Sequence, residues 1–501
     1  MISYSGIVLA TSIAPTDIRN QRNAVDTWLK SGFHVVSLNC KEELQKIICF
    51  FPEVEFIEVD RDGREMYGRP YVYLNDFMEF FQKSQYKTCG IINSDIHLIG
   101  IGEDFKEFLD NQTENSLVFG HRIDIKSLDG LYGKLYIGHD YFFFDRTFAC
   151  LYPDEGFCIG QPAWDYWMPF LPLLYGKSVK KLLSPIAYHI KHPQNWLTEI
   201  DMRFKNLMAN KYLDDSLYVK RYDDIGHIRI QSVIEKNMQE IVYTRGETKL
   251  RVLIVYDNNG ESPEKSETLK SIQNQTYSSI SIIESKKDAI NVQDIKEDLV
   301  YFIREGTIIN KFFIELMANY INDKKYIVCG IRLKNSDDLF VDNIYPIDLK
   351  TGILDIKRLN EGCLVYRKEI LQESNYNGYG LLNHEMSFMA QGLVEMKYNE
   401  YIMKQLEVVK QERLYIYAAG GHTRNLFKQV DFSKYNLCGI IDKNKELDGS
   451  KIDGYPVYHI DSILSLDAQW ILISSSSFET EIYDELSKII DERKLIRIYY
   501  N

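Results

Sequence analysis

The sequence has no excess of positive charge. Its 59 lysines and arginines stand against 72 aspartates and glutamates, for a net charge of −13. Nucleic-acid backbone is thereby excluded as the main partner, because no basic surplus exists to displace counterions. A nucleotide held through a metal is not excluded. Cys-x-x-Cys is also missing: the eight cysteines (Cys40, Cys49, Cys89, Cys150, Cys158, Cys329, Cys363, Cys438) are scattered, mostly among apolar neighbours. That usage fits buried thiols in a reducing compartment and offers neither a zinc site nor a disulfide framework. No run is apolar for long enough to span a bilayer. The amino terminus lacks a basic stretch, so Ile7-Val8-Leu9-Ala10 reads as a first strand rather than part of a signal peptide. The expectation is a cytoplasmic protein.

What is present is an ordinary globular composition, 45% apolar and 26% charged over 501 residues, enough for about two to four domains. The first region alternates strand and helix patterns. Gly6 to Thr11, Phe33 to Leu38 and Val54 to Val59 read as strands; Ile18 to Lys30 and Val72 to Phe81 have helical spacing. Cys89 to Asn93 is a further buried strand, and repeated βα units imply a mostly parallel sheet. The break Asn93-Ser94-Asp95 places a carboxylate at that strand's carboxyl end, where open α/β sheets bind ligands. The same tripeptide also suits an ordinary turn. Lys134 to Phe144 is a longer strand, and residues from about Trp196 to Gly246 are charged and helix-like. New strand–helix starts occur at Leu250 to Tyr256 and at Arg413 to Ala418, with further strands at Ile280 to Glu284, Leu437 to Ile441 and Trp470 to Ile473.

Asn93-Ser94-Asp95 resembles the Asp-x-Asp motif of nucleotide-sugar glycosyltransferases of the GT-A fold, with Asn93 in place of the first Asp. The strand from Leu250, the phrase Ser271-Ile272-Gln273-Asn274-Gln275-Thr276-Tyr277 and the run Asn360 to Glu369 resemble family 2 glycosyltransferases. The implied fold class is α/β, with two GT-A-like domains followed by a small Rossmann-like domain. The layout read from the sequence is a catalytic domain over residues 1–200, a helical connection over 201–247, a degenerate GT-A-like domain over 248–408 and a Rossmann-like domain over 411–501. Degeneracy of the third part follows from Tyr301-Phe302-Ile303-Arg304-Glu305-Gly306, where Arg304 replaces an expected carboxylate and repels Mg²⁺. The later Asn383-His384-Glu385-Met386 matches the family's catalytic phrase only loosely.

The resemblance implies a metal-dependent transferase with Mn²⁺ or Mg²⁺ and a nucleotide-diphosphate sugar donor, acting on a glycan or protein hydroxyl. Asp95 is the expected metal ligand, with His189 or His192 of Tyr188-His189-Ile190-Lys191-His192 as a further one. Lone histidines are more often structural. Lys191 is an alternative phosphate contact. Asn93 and Ser94 would contact the donor, Thr11 and Ser12 would meet its base and ribose, and Arg69 would pair with phosphate unless it is a solvated loop residue. Asp165 in Gly160-Gln161-Pro162-Ala163-Trp164-Asp165 takes the general-base role, against a reading as a helix-start residue; Asp145 is an alternative carboxylate. Trp164 and Trp167 either stack on sugar or fill the core. In the last unit Gly420 and Gly421 open a nucleotide-binding turn, and Asp442 ends the next strand to receive ribose hydroxyls. Ala418 and Thr423 replace two glycines of the usual fingerprint, and no Tyr-x-x-x-Lys is present, which points to binding without chemistry. A homo-oligomer is left open. The rival readings are a non-catalytic nucleotide-sugar scaffold and a sugar nucleotidyltransferase.

Overall fold

The computed structural model describes residues 4–192, 198–213, 226–246, 249–258, 266–336, 338–347, 361–373, 386–409, 411–475 and 478–499. The chain is mixed α/β and divides into two compact units, Met1–Lys249 and Leu250–Asn501. Asn383, His384 and Glu385 lie outside the described residues.

In the first unit the strands are β1 Tyr4–Thr11, β2 His34–Asn39, β3 Glu55–Glu58, β4 Tyr86–Ile92, β5 Ile96–Leu98, β6 Ser116–Ser127, β7 Gly130–Asp145, β8 Ser178–Leu182, β9 Ala187–Ile190 and β10 Gln239–Ile241. They form one sheet in the order β10-β8-β6-β7-β4-β1-β2-β3, with β5 and β9 paired beside it. The central run β4-β1-β2-β3 is parallel. Its central strand β1 is apolar on both faces because helices cover both: Ile7 to Ala10 are all at most 1% exposed. Alternate residues of β7 feed opposite cores. Phe142 and Phe144 pack with Phe77, Phe81 and Trp167 on one face, and Tyr141 and Phe143 with Trp28 and Phe105 on the other.

The described residues of 201–247 add to the first unit. Helices Thr198–Leu207 and Gly226–Asn237 do form there, but Ile230, Val233 and Ile234 enter the first core. β10 then extends the first sheet by pairing with β8. The apolar stripe at i, i+3, i+4 is short and sits among charges, which is why the segment reads as a helix without a core face.

The second unit holds two sheets. The strands of the first are β11 Val252–Asp257, β12 Ile280–Glu284, β13 Leu299–Arg304, β14 Ile308–Ile309, β15 Tyr326–Lys334, β16 Phe340–Ile344, β17 Leu364–Arg367 and β18 Met386–Lys397, in the order β12-β11-β13-β17-β15-β18-β14 with β16 beside β15. The second contains β19 Leu414–Tyr417, β20 Leu437–Asp442, β21 Lys451–Ile452, β22 Tyr455–His459, β23 Trp470–Ile473 and β24 Leu495–Ile496, ordered β21-β22-β20-β19-β23-β24. There the chain steps from β19 to β20 on one side and later to β23 on the other, which makes the ends of β19 and β23 a topological switch point. Among the described residues no helix is long and apolar enough to cross a membrane.

Candidate metal centre and the strand ends around it

Asp95 lies in the turn between β4 and β5, and strand register brings His189 to it, with Asp124 behind. β5 pairs antiparallel with β9 so that Ile96 faces His189, and β9 pairs parallel with β6 so that His189 also faces Asp124. The outcome is a cluster in which one ligand atom each from Asp95, His189 and His192 lies within 4.8 Å of the others. Asp95 Oδ2 is 3.5 Å from His189 Nε2 and 3.2 Å from His192 Nε2. Burial works against charge on Asp95, yet the hydrogen bonds with His189 and His192 outweigh it and hold the carboxyl well below the usual carboxylate range.

The donor chemistry of this cluster fits a divalent cation. His189 is nearly buried and its Nδ1 is 2.9 Å from Asp124 Oδ1. Burial opposes charge on His189, but its hydrogen bonds to Asp124 and Asp95 outweigh it and raise its pKa to about 9, so the ring donates to both carboxylates. A cation would take the place of the Nε2 proton while Asp124 keeps Nδ1–H, the arrangement that orients metal-ligating histidines. Asp124 is in turn held by Arg122 Nε at 2.8 Å. Burial opposes ionisation of Asp124, while His189 and Arg122 outweigh it and keep its pKa below the ordinary value. Two imidazoles and one carboxylate suit a first-row cation such as Mn²⁺ better than Mg²⁺, which prefers oxygen.

Arg122 continues the chain of contacts. Its NH1 donates to Asp140 Oδ1 at 2.9 Å and its guanidinium lies 4.1 Å from the Tyr136 ring centre. Asn93 closes the circuit: its amide donates to the Asp140 carbonyl at 3.0 Å and its Nδ2 to Asp140 Oδ1 at 2.5 Å. Asn93 therefore serves a neighbouring carboxylate instead of replacing one. Ser94 is half-buried beside it.

Asp165 starts the helix Trp164–Leu174, behind Ala163, which adopts a left-handed φ of 75°. Its Oδ2 accepts the His139 amide at 3.2 Å, one residue along β7 from Asp140. Gly138 makes the room, since a Cβ there would stand 2.5 Å from the Tyr136 ring and 3.1 Å from Asp165 Oδ2. Burial, and then the nearby Asp140 carboxylate, push Asp165 up to about 7. Trp164 and Trp167 are core residues, 2% and 0% exposed. Asp145 caps the following turn through Thr147 and is not drawn into the cluster.

Thr11 ends β1 fully buried, with its Oγ1 unpartnered. The loop behind it is pinned by Ser37 Oγ and Asn39 Nδ2, which hold the amide and carbonyl of Ile13; Asn39 Nδ2 also reaches Ser12 Oγ at 3.4 Å. Unmet buried polar atoms gather along these strand ends: Thr11 Oγ1, His97 Nδ1, His139 Nδ1 and Asp140 Oδ2. Such atoms are rare in folded proteins and each calls for a partner. Arg69 follows the Gly68 turn, exposed and without an ion pair among the described residues.

At the switch point of the last sheet, Gly420 precedes the helix Gly421–Gln429, and a Cβ at either glycine would meet nothing within 4 Å. Ala418 keeps the glycine-like backbone at φ 84°. Both Asp442 oxygens are engaged by amides, Ala419 at 2.6 Å and Asn444 at 2.8 Å. His422 is half-buried between Ser474 Oγ and Tyr499 OH, each at 2.7 Å, and desolvation lowers its pKa to about 4.

Residues 410–496 match the family model described as C2185-like, N-terminal. No curated protein matches the chain. Among solved structures, TarS 1–349 of S. aureus in complex with UDP-GlcNAc is 10% identical, over 46% of this chain and 71% of that one, with a TM-score of 0.31. HddC from Yersinia pseudotuberculosis is 12% identical over 31% and 83%, with a TM-score of 0.21. UDP-D-quinovosamine 4-dehydrogenase from Vibrio fischeri is 19% identical over 16% and 72%, with a TM-score of 0.14. At such scores these likenesses carry no structural argument.

Proposed function

We propose that the unit Met1–Lys249 transfers a sugar from a nucleotide-diphosphate donor to a hydroxyl of a glycan or protein acceptor. The observation that carries this reading is the convergence of Asp95, His189 and His192, with Asp124 orienting His189 from behind. A divalent cation held there would neutralise the diphosphate as it leaves. Thr11 and Ser12, at the end of β1, bind the nucleoside, and Asn93 and Ser94 line the donor. Asp165 takes the proton of the attacking hydroxyl: a base poised near 7 is ionised for half of its population at neutral pH and is basic enough to accept a proton. In-line attack assisted by such a base inverts the anomeric centre. Arg69 is a peripheral phosphate contact.

The sheet β11 to β18 serves architecture or acceptor binding, and the last sheet holds a nucleotide or sugar against the amides at Gly420 and Gly421. Asp442 accepts one amide on each oxygen and keeps a second lone pair on each for a ribose hydroxyl. The protein works in the cytoplasm.

Incubating the full chain with nucleotide sugars and Mn²⁺, then identifying the products, tests this. Slow donor hydrolysis to a nucleoside diphosphate is expected. Release of pyrophosphate would identify a nucleotidyltransferase, and metal-dependent binding without turnover for any donor–acceptor pair would identify a scaffold.

A further inference from the structure

Asp140 is the carboxylate next to the candidate metal centre that the network leaves half used. Oδ1 is fixed by two donors, Asn93 Nδ2 at 2.5 Å and Arg122 NH1 at 2.9 Å. Oδ2 is buried with no hydrogen-bond partner, in a residue 5% exposed. Because Oδ1 is clamped, Oδ2 points in one direction and cannot turn to find a partner.

The chemistry of this oxygen narrows what it receives. With Oδ1 held by a guanidinium and an amide, the carboxylate offers Oδ2 as an acceptor, so its partner brings an O–H or N–H. A phosphate oxygen is repelled. A second cation is disfavoured by Arg122 on the same carboxylate, and no Asp140 oxygen belongs to the set that converges on Asp95, His189 and His192. The part of a nucleotide sugar that is rich in donors and lies beyond the diphosphate is the sugar. We propose that Asp140 Oδ2 accepts a hydrogen bond from a hydroxyl of the donor sugar and so helps select that sugar; this rests on the nucleotide-sugar reading given above. It also explains Asn93: with an aspartate at that position, two carboxylates would face each other and Oδ1 would lose a donor.

Asp140→Asn tests the assignment, since it keeps an acceptor for Asn93 and Arg122 and turns the Oδ2 position into a donor. Binding of Mn²⁺, UDP, GDP and a panel of their sugar conjugates (UDP-GlcNAc, UDP-glucose, UDP-galactose, GDP-mannose) is measured by calorimetry on the full chain. The variant is expected to lose about 10- to 100-fold affinity for the preferred conjugate, while Mn²⁺ and the free diphosphate bind within about twofold of wild type, as for any contact confined to the sugar. An unchanged affinity for the conjugate overturns the assignment, and so do equal losses for conjugate and free diphosphate. Wild-type protein that binds Mn²⁺ but no panel member overturns the nucleotide-sugar reading itself. If the variant does not fold, deoxy analogues of the preferred sugar on unaltered protein decide: one hydroxyl carrying the whole loss supports the assignment, and no loss at any position overturns it.

Discussion

Two strand ends carry an acid at comparable places in their sheets and spend it differently. β4 is a parallel neighbour of β1 and leads into Asp95; β13 is a parallel neighbour of β11 and leads into Glu305. Asp95 is met by two imidazoles brought in by β9 and the turn after it. Glu305 accepts instead from Tyr256 OH and, at 2.6 Å, from Ser266 Oγ, while Arg304 stands in register with Asp257 at the strand's end. Asp442 in the last sheet resembles Glu305, with both oxygens taken by amides. A carboxylate at the end of a parallel strand therefore says little by itself. What converges on it separates a ligand site from an internal brace.

The largest expected effect comes from breaking the first site while sparing the second. Asp95→Asn should lower metal-dependent turnover by roughly 10³-fold, since several kcal/mol of charge stabilisation are lost. Glu305→Gln should leave the rate within about twofold, as for a residue remote from the chemistry. A comparable loss in both would place the chemistry in the second unit.

Next in size is Asp165→Asn, for which removing a general base should cost about 10²–10⁴-fold in turnover with the donor dissociation constant nearly unchanged. The wild-type rate should rise with pH through about 7 and then level, because the base must be ionised. The variant should lose that rise, and the product should carry an inverted anomeric configuration by proton NMR. Stability gives an independent check. A carboxyl raised from its ordinary value to about 7 contributes stability fully present below the unfolded pKa and lost as pH climbs through 7. Asp165→Asn should therefore raise the Tm relative to wild type at pH 8 and change it little at pH 4.

Asp124→Asn sharpens the comparison further. It leaves every ligand in place and removes the group that orients His189, so Mn²⁺ affinity should fall about 10- to 100-fold. Unchanged affinity would reduce Asp124 to a partner of Arg122 alone. The smallest effect is on the internal brace: Glu305→Gln weakens two hydrogen bonds to a charged acceptor and should cost about 1–3 kcal/mol in denaturant unfolding. No measurable cost would mean that Tyr256 and Ser266 are satisfied without it.

The parts of this arrangement legible in the sequence are those carried by local pattern. Strand and helix periodicity gives Ile18–Lys30, Ile280–Glu284 and Trp470–Ile473 with the bounds observed. The strand-end position of Asp95 and the His-x-x-His spacing are likewise local. Arg122, Asp124 and Asp140 escaped because their role depends on register between β6, β7 and β9, which no single segment encodes. A signal was nonetheless there: Gly120-His121-Arg122-Ile123-Asp124 and Gly138-His139-Asp140 put charges inside otherwise apolar strands, and buried charge needs a reason. Their ionised groups are nearly sealed from water, which only mutual pairing makes affordable. Gly226–Asn237 was legible as a helix but not as a core element, because its three-residue apolar stripe is too short to stand out from its charged surroundings.

The central claim is that Asp95, His189 and His192 hold a divalent cation, and titration of the full chain with Mn²⁺ followed by electron paramagnetic resonance tests it without any substrate. The account predicts one site in the wild type, its loss in Asp95→Asn and in His189→Ala, and full retention in Glu305→Gln. Unaltered Mn²⁺ binding by folded Asp95→Asn, or loss of the site in Glu305→Gln, would contradict it.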